Sequence, residues 1–201
     1  MTEAEDRRDA LARALRRNRS RQEQPALLRS LSARLHQQIG PDALLALDET
    51  DVLAAIAQRH HADPRQARDA SEPELLAVVT TSESVALAFI ERALLELAGS
   101  PLAVLTVETP TVGAPLLKQT PKPADVLRFT RPEDTITLCT PRGESGLLVD
   151  RDTFSDHRPP MFALISWTAP ELGSAPMPRP NLTAEEAATG TSAFAAWRRE
   201  F

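Results

Sequence analysis

Asp150, Asp152, Asp156 and His157 lie together in the segment DRDTFSDHR. Carboxylates at this spacing, with a histidine beside them, are the oxygen-rich set that suits a hard divalent cation. The segment lacks the turn glycine and the distal glutamate of a calcium loop. Arg151 and Arg158 also compete for the same acids. The expectation is a solvated loop following a strand, with a metal-dependent enzyme as an alternative. His60 and His61 sit near a predicted helix C-terminus, where histidine interacts well with the helix dipole. Adjacent helical residues point apart, so the two do not share one metal. Cys139 is the only cysteine. It falls on an alternating strand beside Ile136 and Leu138, with no basic neighbour to activate it, and reads as an inert buried thiol. The chain has seven glycines, no glycine-rich phosphate loop and no tyrosine. No cofactor is expected, and a stacking platform for single-stranded nucleic acid is disfavoured.

Two further segments invite comparison with known motifs. Gly143-Glu144-Ser145-Gly146 is similar to the loop around a protease nucleophile. Its chain order and second glycine do not match, however, and no histidine–aspartate pair is placed to activate the serine. A hairpin turn is the expectation. Leu53–Arg68, LAAIAQRHHADPRQAR, resembles a helix-turn-helix, with Ala57 as the small packing residue of a first helix. The resemblance implies a DNA-binding regulator in which Arg65, Gln66 and Arg68 face a groove. His61 stands where the turn usually has glycine.

The remaining candidates are binding surfaces. Residues 1–34 carry nine arginines and five acids, whereas residues 35–201 carry a net charge of −9. A basic arm of this kind reaches for an acidic partner or nucleic acid, or lies on the acidic body of its own chain. The first predicted helix, from Thr2 to about Asn18, has a thin apolar stripe of Ala10, Leu11, Ala14 and Leu15. Arg7, Arg8, Arg13, Arg16 and Arg17 cover the rest, and a helix this polar needs a partner or frays. At the other end, Phe194, Trp197 and Phe201 fall three and four residues apart, hence on one face of a predicted helix. That helix follows the proline-rich spacer Pro170–Pro180.

These residues are positioned by a chain organised around Thr80–Glu108. Thr80 and Glu83 fit a capping box. Val85–Ala98 is apolar over most of a helix circumference. Gly99 and Pro101 stop that helix, and Leu102–Val107 follows as a strand. Before it, Pro25 opens a second amphipathic helix through Leu27, Leu28, Leu31, Leu35 and Ile39, predicted to pair with the first as an antiparallel hairpin. Asp42–Leu47 reads as a short helix, and Thr50 or Asp51 caps the next. Val52, Leu53, Ile56 and Ala57 give that helix its apolar face. Pro64 and Pro73 open two more, the last being Glu74–Val79. After Glu108 prolines are dense. Thr109–Ala124 reads as a long loop, and Val126–Thr130, Thr135–Thr140, Gly146–Val149 and Met161–Trp167 as strands.

The sum is an α+β fold. A helical region (1–79) precedes a central helix with a small antiparallel sheet packed on it (80–168). A linker (169–180) and an amphipathic helical tail (181–201) follow. The longest apolar run in the central helix, Val85–Ile90, is too short to span a membrane. The N-terminus lacks a signal peptide's apolar segment, and a single cysteine forbids an intramolecular disulfide. A cytoplasmic location is expected. The Ala/Arg/Leu/Pro bias, with only two lysines, points to a GC-rich bacterial genome. These readings converge on a non-catalytic bacterial protein that binds another protein, or itself, as an adaptor, regulator, immunity factor or assembly subunit.

Overall fold

The computed structural model describes residues 3–62, 74–129, 135–152 and 161–168. Its centre is a sheet of six strands: β1 (Glu74–Thr80), β2 (Leu102–Leu105), β3 (Leu116–Leu117), β4 (Thr135–Cys139), β5 (Gly146–Asp152) and β6 (Met161–Thr168). They stand in the order β1-β6-β5-β4-β2-β3, and every pairing is antiparallel. Side chains alternate between the two faces of a strand, and here both alternating sets are apolar. Ile136, Leu138, Leu147, Val149, Phe162 and Leu164 enter one core. Cys139, Leu148, Ile165 and Trp167 enter another. A sheet buried on both faces needs a cover on each side.

The first cover is the central helix α3 (Glu83–Glu96), which buries Ala86, Phe89, Ile90, Ala93 and Leu94. Leu27, Leu28 and Leu31 of helix α1 (Glu3–Arg34), with Leu35 just after it, share that core. The second cover is α2 (Leu47–Ala62), whose Leu53 and Ala57 pack with Cys139, Leu148, Ile165 and Trp167. Two short helices, α4 (Thr109–Val112) and α5 (Pro123–Phe129), fill the edges. The α+β class, and the antiparallel sheet packed on the Val85–Ala98 helix, are as the sequence predicts. The tail 181–201 lies outside the described residues.

Several local expectations are corrected. Glu74–Thr80 is a strand, not a helix; all seven residues pair with β6. A short apolar run carries no decisive period of its own, and the open edge of β6 decides. Of the predicted strand Val126–Thr130, the described residues Val126–Phe129 are helical. Pro123 opens α5, and the Lys122 carbonyl accepts from the amides of Asp125 and Val126. The predicted hairpin of two N-terminal helices is one continuous helix, because Arg19–Gln24 is made of good helix formers. An ion pair from Arg19 to Glu23 at 2.7 Å reinforces it. Pro25 lies within α1 on an exposed position.

The caps shift as well. Ser82, not Thr80, caps α3, accepting from the Val85 amide at 3.5 Å. Helix α2 starts at Leu47 rather than near Thr50, and Glu49 reaches back to the Ala46 amide at 3.0 Å. In place of the predicted helix Asp42–Leu47, Pro41–Ala43 forms one 3-10 turn and residues 44–46 are not helical. Val52 is 61% exposed, so it lies off the packing face. The Thr109–Ala124 stretch is packed rather than open, with Val112, Ala114 and Leu117 buried. The Pro64 helix lies outside the described residues.

Candidate interaction surface

Helix α1 has two sides with different fates. On the inner side, Arg16 donates from Nη1 to Asp51 Oδ2 at 2.7 Å and from Nη2 to Asp51 Oδ1 at 2.6 Å. Nη2 also reaches the Pro110 carbonyl at 2.8 Å. One helical turn on, the Ser20 hydroxyl donates to the Val112 carbonyl at 3.0 Å. The hydrogen bond to Asp51, helped by the charges of Asp51 and Asp48, pushes the Arg16 guanidinium further above its ordinary range, although partial burial opposes this. The fork is roughly half exposed, so it contributes at most about 1 kcal/mol; its main effect is to fix α1 against α2.

The receiving surface is held by Thr50. Its buried hydroxyl donates to the Ala46 carbonyl at 2.9 Å and accepts from the Ala114 amide at 2.8 Å. The Leu45 amide donates to the Ala114 carbonyl at 2.9 Å. Gly113, at φ 108°, lets the chain pass this close: a Cβ there would stand 2.7 Å from the Leu45 carbonyl oxygen. The basic helix therefore lies on its own body through Arg16.

The outer side is different. Leu11 and Leu15, one turn apart, are 61% and 59% exposed. Arg8 and Arg19 are exposed on the same side, and Arg13 and Arg17 are exposed off this stripe. Of the three arginines singled out from the sequence, Arg13 and Arg17 face solvent and Arg16 is engaged internally. The tail stripe of Phe194, Trp197 and Phe201 lies outside the described residues.

Among the described residues, the other candidates do not converge on a reactive centre. Asp150 sits on β5 and accepts from the Thr135 hydroxyl at 3.2 Å. Asp152 ends the same strand, and Asp156 and His157 lie outside the described residues. Among the described residues no group of three or more histidine, cysteine or acidic side chains is placed to hold a metal. The Leu53/Ala57 face of α2 packs on the sheet, and Arg65, Gln66 and Arg68 lie outside the described residues. Residues 141–145 form the β4–β5 turn, closed by the Gly143 amide on the Thr140 carbonyl at 2.8 Å. Cys139 is buried, and desolvation pushes its thiol up to about 12. That matches an inert thiol.

Two features were missed by the reading of the sequence. The Arg16–Asp51 fork spans 35 residues, and no periodic pattern encodes such a pairing. The opposite charges of the two helices were its only signal. The edge strand β1 was hidden in a segment read as helix. No family model matches the chain, and no curated protein and no solved structure shows a significant likeness to it.

Proposed function

We propose that this chain acts without catalysis, by binding another protein through the outward side of α1. The observation that carries the reading is the exposure of Leu11 and Leu15 on a helix whose inner side already packs on its own core. Two leucines one turn apart, with the exposed Arg8 and Arg19 a turn before and after them on the same side, suit an apolar groove rimmed by carboxylates. The apolar pair supplies burial, and the arginines supply orientation and rate of encounter. The stripe of Phe194, Trp197 and Phe201 supports a second contact with the same partner.

The test compares full-length wild-type chain with a Leu11→Ser/Leu15→Ser variant in affinity capture from the native host. A protein retained by the wild type and lost by the variant, at unchanged thermal stability, supports the reading. Identical capture by both chains overturns it. So does recovery of duplex DNA in place of protein.

A further inference from the structure

We infer that β1 is a self-association edge, across which a second copy of this chain extends the sheet. The two ends of the sheet are treated differently. At one end β3 is only two residues long, with Lys118, Pro121 and Pro123 just after it. Shortness, lysine and proline are the usual means of keeping an edge from pairing. At the other end β1 runs for seven residues, Glu-Leu-Leu-Ala-Val-Val-Thr, in unbroken register with β6. It has no proline, no lysine and no bulge. Its one charge, Glu74, is at its first residue. Val78 and Val79 are each 8% exposed, so these side chains are covered, yet among the described residues no strand lies beyond β1. In an antiparallel pairing every second residue turns its N–H and C=O away from the existing neighbour. Those groups form a row that another strand satisfies.

The sequence of β1 is its own complement. A two-fold axis normal to the sheet makes an antiparallel, isologous junction. The register overlapping all seven residues puts Ala77 opposite Ala77 of the second copy, Leu76 opposite Val78, and Glu74 opposite Thr80. The two glutamates stay at opposite ends of the junction. Ala77 is exposed and its side chain is small, so nothing bulky stands on the axis. The face carrying Leu76 and Val78, which belongs to the core under α3, continues across the junction in phase, because the register preserves the alternation. This site is separate from the α1 surface, and either can fail without the other.

The experiment is sedimentation equilibrium on the full chain, with two variants. Wild type gives a dimer. Ala77→Lys, which sets two like charges face to face at the axis, raises the dissociation constant by about tenfold or more. Ala77→Cys forms a disulfide-linked dimer under mild oxidation, since directly opposed residues of antiparallel strands stand at about 4.5 or 5.5 Å, within disulfide range. Cys139 is 1% exposed and does not compete. Should Ala77→Lys not fold, the cysteine variant decides alone. A wild-type monomer, or a dimer indifferent to Ala77→Lys that yields no Ala77→Cys crosslink, overturns the inference.

Discussion

The indole Nε1 of Trp167 donates to the Gly143 carbonyl at 3.0 Å, so a residue of the last strand closes the turn between β4 and β5. Trp167 is 1% exposed. Its ring lies over Gly146, its cross-strand partner, where any Cβ would run into the ring. Gly143 adopts φ 73°, and a Cβ there would meet Ile56 Cδ1 at 2.8 Å and Leu53 Cδ2 at 3.2 Å. Two strands, a turn and helix α2 therefore meet at two glycines and one tryptophan.

Replacing that tryptophan separates its polar from its apolar role. Trp167→Phe keeps a ring on Gly146 but leaves the buried Gly143 carbonyl without this donor, which costs about 1–3 kcal/mol. Gly146→Ala leaves the hydrogen bond's partners in place but forces the ring away, and it destabilises more than Trp167→Phe. Urea midpoints at constant m-value give both numbers. A neutral Gly146→Ala would contradict the described stacking.

The thiol of Cys139 makes stability depend on pH in one direction. Burial raises the folded value to about 12 from an unfolded 9.0. Below pH 9 both states hold the proton and nothing changes. Between 9 and 12 the unfolded chain releases the proton while the folded chain retains it. Unfolding then becomes easier by about 1.4 kcal/mol per pH unit as pH rises. Cys139→Ala removes this component. Parallel urea titrations of the two chains, compared as a difference curve, isolate it from the other titrating groups.

Helix α3 exposes one leucine and buries another residue of similar volume, so its packing side can be read by substitution. Ile90 is fully buried and Leu95 is 71% exposed. Ile90→Ala costs about 2–5 kcal/mol through lost burial and a cavity. Leu95→Ala costs under about 0.5 kcal/mol as an exposed change. Comparable losses at both positions would mean that α3 is covered on its outer side as well, as its nearly all-round apolar sequence suggests.

What was legible in the sequence follows from how locally each signal is written. Thr135–Cys139 alternates cleanly and Gly146–Val149 follows it across a proline–glycine turn, and the structure pairs them as β4 and β5. Gly99 takes φ 89° just past α3, as a glycine stop predicts. Leu75–Val79 and Val126–Phe129 are short apolar runs that fit either period. The first is settled by β6, more than 80 residues away, and the second by the proline just before it. The α1 surface was legible in part, because its apolar stripe and arginines are local. That Arg16 turns inward to Asp51 depends on how two helices cross.

The continuity of α1 through Pro25 sets up a substitution whose sign separates two arrangements. At the first position of a second helix, proline is well placed, since its missing N–H has no intrahelical acceptor there. Pro25→Ala would then loosen the unfolded chain and lower stability by about 0.4–1 kcal/mol. Inside a continuous helix the same change restores a hydrogen bond from residue 25 to the Arg21 carbonyl and relieves the ring's clash with that turn. Proline is about 3 kcal/mol worse than alanine in a helix interior. The unfolded-state term subtracts from this, so the net expectation is a gain of about 2–2.6 kcal/mol. Pro25 is exposed, so no packing change confuses the comparison. Thermal and urea denaturation of Pro25→Ala give the sign directly. A gain, with helicity by circular dichroism held or raised, agrees with a helix running from Glu3 to Arg34. A loss would mean that the chain breaks at Arg19–Gln24 and that the basic segment is a separate helix, free to turn Arg16 away from Asp51.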